Sequence, residues 1–159
     1  MPRKIIALAI CTLLALTFLT SCDGGVDTEA DTYDNDMGLS ADMYDADPTN
    51  PIQIFINENH EALNEASEDH LEYLGPDATV DFFARDGEFI YVYTFGAGPT
   101  ADELKEFAAE FLEYPANVSM YETLAGNFAE MIGIDSLTII VLYYDAQGNF
   151  VASDSYESL

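Results

Sequence analysis

The stretch Asp86-Gly87-Glu88-Phe89-Ile90-Tyr91-Val92-Tyr93-Thr94-Phe95 decides the fold. Asp-Gly is a dipeptide that accepts positive φ at a tight primed turn, and the aromatic and β-branched run after it suits a pleated surface. Thr79–Arg85 has the same character on the other side, so the two segments form a hairpin about Asp86-Gly87. Leu137–Tyr144 and Asn149–Tyr156 repeat the pattern around Asp145-Ala146-Gln147-Gly148. The inner strand of each hairpin is apolar on both faces, while the outer strands carry Asp81, Arg85, Ser153, Asp154 and Ser155. Strands crowded on two sides are apolar throughout and edge strands bear charge that discourages further pairing, so the second and third strands are central.

Outward from the hairpins the periodicity becomes helical. Asn50-Pro51 is a cap followed by proline at the first helical position, and Ile52, Phe55, Leu63, Ala66 and Leu74 recur at helical spacing until Gly75-Pro76 stops them. This gives a helix over 51–74, although Ile52-Gln53-Ile54-Phe55-Ile56 alone also fits extended chain. Thr100-Ala101-Asp102-Glu103 is a capping box, and Leu104, Phe107, Ala108, Phe111 and Leu112 follow as an apolar stripe. Pro115 disfavours helical geometry at Tyr114, which predicts a kink or break there before the stripe resumes with Val118, Tyr121, Leu124 and Phe128 and ends at Gly133. The fold class is therefore α+β: two layers, a four-stranded mostly antiparallel sheet from two hairpins, helices packed on one face, in the order α-β-β-α-β-β. Just over 100 residues, 51–159, suffice for one core and one domain.

The N-terminus has a different grammar. Arg3 and Lys4 precede Ile5–Leu19, fifteen residues without a charge, which fits a signal-peptide apolar region and falls short of the roughly 20 residues that span a bilayer. Leu19-Thr20-Ser21-Cys22 then resembles the lipobox of bacterial lipoproteins. That resemblance implies that 1–21 is a signal peptide and that Cys22 carries a diacylglycerol, with palmitate-like chains, holding the protein at the extracellular face of the cell membrane. Two acyl chains anchor firmly where one anchors reversibly. Cys11 leaves with the signal and Cys22 is acylated, so the mature domain has no thiol for a disulfide, a nucleophile or a metal.

All 30 acidic residues follow Cys22, and of the four bases only Arg85 and Lys105 do, so the mature chain is near −28. Such a chain excludes nucleic acid as a partner, because binding a polyanion depends on Lys and Arg releasing counterions. The acidity keeps a surface protein soluble, serves a cationic partner (a basic protein, a peptide, a wall component or divalent cations) or, as a minor third reading, reflects halophilic adaptation. Residues 22–50, with nine carboxylates, no base and three glycines, read as a disordered acidic tether. Tyr33, Met37, Met43 and Tyr44 interrupt it and mark either a docking segment or a sticky linker. No register of this stretch fits an EF-hand loop: Gly38 at the sixth position puts Tyr33, Asn35 and Met37 where oxygen ligands belong.

Few residues carry chemistry. His60 and His70 lie ten apart on the first helix, about 80° apart around its axis, and so do not pair on a metal; each reads as a solvated helix residue. Ser67, Asp69 and His70 have the residue types of a catalytic triad, but neighbours on one helix do not build its geometry. The constellation that stands out is aromatic: Phe89, Tyr91, Tyr93 and Phe95 alternate onto one face of a central strand, with Tyr143 and Tyr144 on the other central strand. Tyr91, Tyr93, Tyr143 and Tyr144 are candidate ligand-binding residues if helices cover the opposite face; otherwise the stripe is core and Ile90 and Val92 face outward.

The order helix, hairpin, long helix, hairpin, with Asp86 to Phe95 and Thr138-Ile139-Ile140-Val141-Leu142-Tyr143-Tyr144-Asp145-Ala146-Gln147-Gly148-Asn149, resembles a family of small domains in surface lipoproteins of Gram-positive gut anaerobes. The resemblance runs from Pro51 to the C-terminus. It implies the fold and the location and no active site, since that family is a domain of unknown function; Pro115 departs from its uninterrupted helix. The functional expectation is a membrane-anchored, non-catalytic binding or interaction module without cofactors. The alternatives are a structural or self-assembling envelope protein, including a homodimer, and a carboxylate-dependent hydrolase.

Overall fold

The computed structural model describes residues 47–158. The signal segment, Cys22 and the tether up to residue 46 lie outside the described residues. What is described runs α1 (Pro51–Leu74), β1 (Thr79–Arg85), β2 (Glu88–Thr94), α2 (Ala101–Glu113), α3 (Pro115–Ile132), β3 (Thr138–Tyr144) and β4 (Phe150–Glu157).

Local chemistry sets these boundaries. The Asn50 side chain accepts from the Ile52 amide, and Pro51 supplies a first helical residue with no amide to satisfy. Thr100 and Glu103 form the reciprocal capping box at α2. At Pro115 the chain does not kink but breaks: Tyr114 takes an extended ψ of 122° and serves as both the end of α2 and the cap of α3. Gly133 closes α3 in the left-handed conformation, its amide bonded to the Ala129 carbonyl.

The sheet order is β1-β2-β3-β4, so β2 and β3 are central as the strand composition required. β1–β2 and β3–β4 are antiparallel hairpins, and β2–β3 is parallel, in the register Phe89 to Ile139, Tyr91 to Val141 and Tyr93 to Tyr143. A parallel neighbour needs a crossover, which α2 and α3 provide. All three helices pack on one face, in a single core with Phe89, Tyr91, Tyr93, Ile139, Val141 and Tyr143. The other face gathers Ile90, Val92, Ile140, Leu142 and Tyr144 into a separate apolar cluster.

This arrangement corrects the open aromatic platform. The stripe Phe89, Tyr91, Tyr93, Phe95 faces the helices and is 0–5% exposed. Its large rings fill the depth between the sheet and three helices, where Phe55 and Phe128 meet Phe89 at ring-centroid distances of 6.5 and 5.1 Å. Ile90 and Val92 take the opposite face, the arrangement in which the stripe is core. The four candidate tyrosines also divide: Tyr91, Tyr93 and Tyr143 lie under the helices, and Tyr144 belongs to the second face.

Candidate functional site

The densest polar chemistry among the described residues lies inside the helix-covered layer, centred on His70. The α1 stripe of Leu63, Ala66, Ser67, His70 and Leu74 turns His70 inward, and it is 9% exposed, against the expectation of a solvated side chain. Its Nε2 is 2.7 Å from the Tyr143 hydroxyl. Tyr93 stands edge-on at 4.7 Å and Phe111 of α2 lies against the other side at 4.5 Å. The spacing carried a usable signal: His70 stands seven residues after Leu63 and four before Leu74, on the apolar stripe itself.

Tyrosines extend this cluster along the sheet. Tyr93 stacks on Tyr143 at 5.4 Å and on Tyr91 at 6.0 Å. Tyr121 of α3 stacks on Tyr156 of β4 at 4.7 Å, and the Tyr156 hydroxyl donates to the Leu112 carbonyl at 2.9 Å. The Ser67 and Tyr121 side chains hydrogen-bond to Tyr93. Among the described residues no buried side-chain nitrogen or oxygen is left without a partner.

Burial sets the electrostatics. Removal from water pushes His70 down from 6.5 to about 4, and it pushes Tyr93 up to about 12. Tyr91, Tyr121 and Tyr143 are raised well above 10 by the same desolvation, helped by the proximity of Tyr93. Moving the Tyr143 proton onto His70 thus spans more than six pKa units, from about 4 to above 10, or more than about 8 kcal/mol at 1.36 kcal/mol per unit. The pair is a hydrogen bond between neutral groups. It ties α1 to β3 and does not shuttle protons at neutral pH.

The remaining candidates stay apart. His60 is exposed, bonded to Asn64 at 3.0 Å, and its ring meets Phe82 edge-on. Asp69 is exposed and the Ser67 hydroxyl donates to the Leu63 carbonyl at 3.0 Å, so the residue types of a triad are not assembled. Asp154 on β4 is half-buried, its carboxyl raised by desolvation and, more weakly, by Glu113. Asp145 is raised by no neighbour; its carboxylate accepts from the Gln147 and Asn149 amides and the Asn149 side chain, which lowers its pKa and closes the β3–β4 turn. No group of three or more His, Cys, Asp or Glu side chains placed to hold a metal occurs among the described residues.

No protein-family model, curated protein or solved structure matches this chain. Its chemistry is therefore read from its own residues, and these offer two surfaces of different kind: a closed polar network under the helices, and a second sheet face of another composition. That second face carries Ile90, Val92, Ile140, Leu142 and Tyr144 at its centre, with Phe83 and Phe150 half-buried at its margins. The strand pairings place Thr79, Thr94, Thr138, Ser153 and Ser155 around them on the same face. Charge there is confined to the edges and corners, where Arg85 and Glu88 pair at 2.6 Å, and Asp81 and Glu157 stand on the outer strands. In a chain of net charge −26 the centre of this face, around Ile90, Val92, Ile140 and Leu142, carries no charge.

Proposed function

We propose that the chain is an extracellular lipoprotein of a Gram-positive cell surface, anchored through a diacylglycerol on Cys22, whose domain is a non-catalytic binding module. The anchor reading rests on the basic start, the uncharged run Ile5–Leu19 and Leu19-Thr20-Ser21-Cys22. The binding reading is carried by one observation: an apolar, hydroxyl-rimmed, charge-poor face across the two central strands of an otherwise polyanionic domain. Interfaces are marked by charge depletion at their centre and polar groups at their rim. The ligand class that fits is an apolar protein segment with basic flanks, its apolar side chains on the sheet and its cations toward the surrounding carboxylates. A self-assembling envelope protein would use the same face for a second copy.

Two measurements test this. Intact-mass analysis of the protein from bacterial membranes should show Cys22 as the first residue, with a diacylglycerol, and Cys22→Ala should abolish the modification; an unmodified chain retaining residues 1–21 refutes the anchor. For binding, residues 23–159 are titrated with amphipathic model peptides bearing basic or acidic flanks. Methyl shifts at Ile90, Ile140 and Leu142 that favour the basic peptide and weaken with salt support the reading. Shifts confined to exposed acidic residues refute it.

A further inference from the structure

β1 ends the sheet, and among the described residues no strand pairs with its outer edge. Its helix side is already roofed: Phe82 is 6% exposed, with the His60 ring of α1 at 5.8 Å. The side that belongs to the second sheet face is different. There Asp81 and Arg85 are exposed, opposite in sign and four residues apart, one on each side of position 83. Arg85 is one of the two Lys or Arg residues after Cys22, and its Nε is bonded to Glu88 beside it at 2.6 Å. A guanidinium has five donors, so it can serve a second carboxylate as well. Asp81 lies across from Val92, and among the described residues its carboxylate accepts no hydrogen bond and makes no ion pair.

We propose that the protein forms a two-fold dimer in which β1 pairs antiparallel with β1 of a second copy about a dyad at residue 83. In this register Asp81 stands directly opposite the partner's Arg85, and by the same dyad Arg85 stands opposite the partner's Asp81. Side chains directly opposite in an antiparallel pair have their Cβ atoms about 4.5–5.5 Å apart, within reach of an ion pair. Each Arg85 then lies between two carboxylates, Glu88 of its own hairpin and the partner's Asp81. Charge on an edge strand ordinarily works against pairing. Here it works against every antiparallel register but one. A dyad at 81 sets two aspartates face to face and a dyad at 85 two arginines, while a dyad at 82 or 84 leaves both charges opposite uncharged residues.

The same register extends an apolar row. Ile140, Ile90 and Phe83 lie side by side across β3, β2 and β1, so this row of the second face stays apolar up to the sheet edge. Across the dyad it continues through the partner's Phe83 and the partner's Ile90, which makes one eight-stranded sheet with a continuous second face. Two carboxylate-rich domains repel, but salt at physiological strength screens that repulsion beyond about 8 Å. At the seam itself the charges that meet at short range are of opposite sign. The pairing uses the edge of the sheet, so it stands whether or not the second face binds a ligand.

Sedimentation velocity of the full chain in nonionic detergent, and of residues 23–159 without it, tests the proposal. Wild type should show a dimer whose fraction grows with concentration. Asp81→Arg alone and Arg85→Asp alone each set like charges opposite one another twice per dimer, and each should associate roughly tenfold more weakly or worse. Mixed one to one, the two variants regain both opposite-charge pairs, and the dimer should return as a heterodimer of chains that circular dichroism shows to be folded. A role of either side chain within its own chain would not be rescued by mixing. In mixed-label wild type, isotope-filtered Overhauser contacts should join the backbone of Asp81 to that of the partner's Arg85, a reading that needs no substitution and serves if Arg85→Asp opens the hairpin at Glu88. A wild type still monomeric at about 0.5 mM, where a Kd of about 1 mM would already show, overturns the proposal. So does a dimer that neither variant weakens, or one whose contacts run through Ile90 and Ile140 or through another register of β1.

Discussion

Replacing His70 by Phe tests whether the buried His70–Tyr143 pair couples this domain's stability to pH. In the folded state burial holds the imidazole near 4, against 6.5 when free. A base with a depressed folded pKa stays neutral in the native state while the unfolded chain takes up a proton. Between pH 6.5 and 4 the unfolded state therefore binds more protons, and stability falls as pH falls. The full shift of about 2.5 units corresponds to about 3 kcal/mol, all of it lost by pH 4 and none of it above pH 7. The surroundings give no relief: His70 is enclosed by Tyr93, Tyr143 and Phe111, and desolvation is the sole cause of its shift. Carboxylates titrate in the same window, so the useful quantity is a difference. Urea unfolding of wild type and His70→Phe is measured from pH 7.5 to 4. Wild type should lose about 3 kcal/mol more than the variant over that range, most of it below pH 6. The variant itself leaves the Tyr143 hydroxyl without its partner, a constant cost of about 1–3 kcal/mol at every pH. A difference that does not change with pH would refute the burial of a neutral imidazole, whatever the size of that constant.

Thr100→Ala removes the side chain that accepts from the Glu103 amide and should cost about 1 kcal/mol, read as a lowered urea midpoint with unchanged slope. Gly96→Ala should be worse than its size suggests, because a Cβ at Gly96 would lie 1.9 Å from the Pro76 carbonyl oxygen, where the chain leaving β2 crosses the turn after α1. The loss should reach roughly 1–3 kcal/mol or more, and a thermal midpoint within two degrees or so of wild type would contradict that close approach. Tyr156→Phe leaves the Leu112 carbonyl without its side-chain donor and should cost about 1 kcal/mol by the same urea assay.

Local signals carried most of the architecture. Asp86-Gly87, the Thr100 capping box, Asn50-Pro51 and Pro115 each act within a few residues, and each lies where expected, although at the β1–β2 turn Gly87 takes positive φ and Asp86 does not. That β2 and β3 are central was legible from the charge on β1 and β4, since the two inner strands carry none beyond Glu88 at the hairpin turn; the full strand order was not. The face of the sheet that the helices choose was not legible. Phe89-Ile90-Tyr91-Val92-Tyr93 is apolar on both sides, and the choice between rings and aliphatic side chains is made by the volume beneath three helices, a non-local quantity. The same limit hid the polar cluster. Tyr143 meets His70 only because the parallel register sets Tyr93 opposite Tyr143, 50 residues apart in sequence. His70 by contrast was within reach, since its place on the α1 stripe already turned it inward.

The parallel seam between β2 and β3 has a consequence for how the chain is made. Each hairpin closes through neighbours in sequence, but the seam joins segments separated by the whole of α2 and α3. Long-range pairing of this kind is slow, because loop entropy is spent before any contact rewards it. During synthesis β2 therefore emerges with one flank unpaired and stays so until Thr138–Tyr144 arrives, near the end of the chain. A nascent chain of this design carries an adhesive strand edge for most of its birth, and its crowding with carboxylates is a physical means of keeping such half-made copies from finding each other.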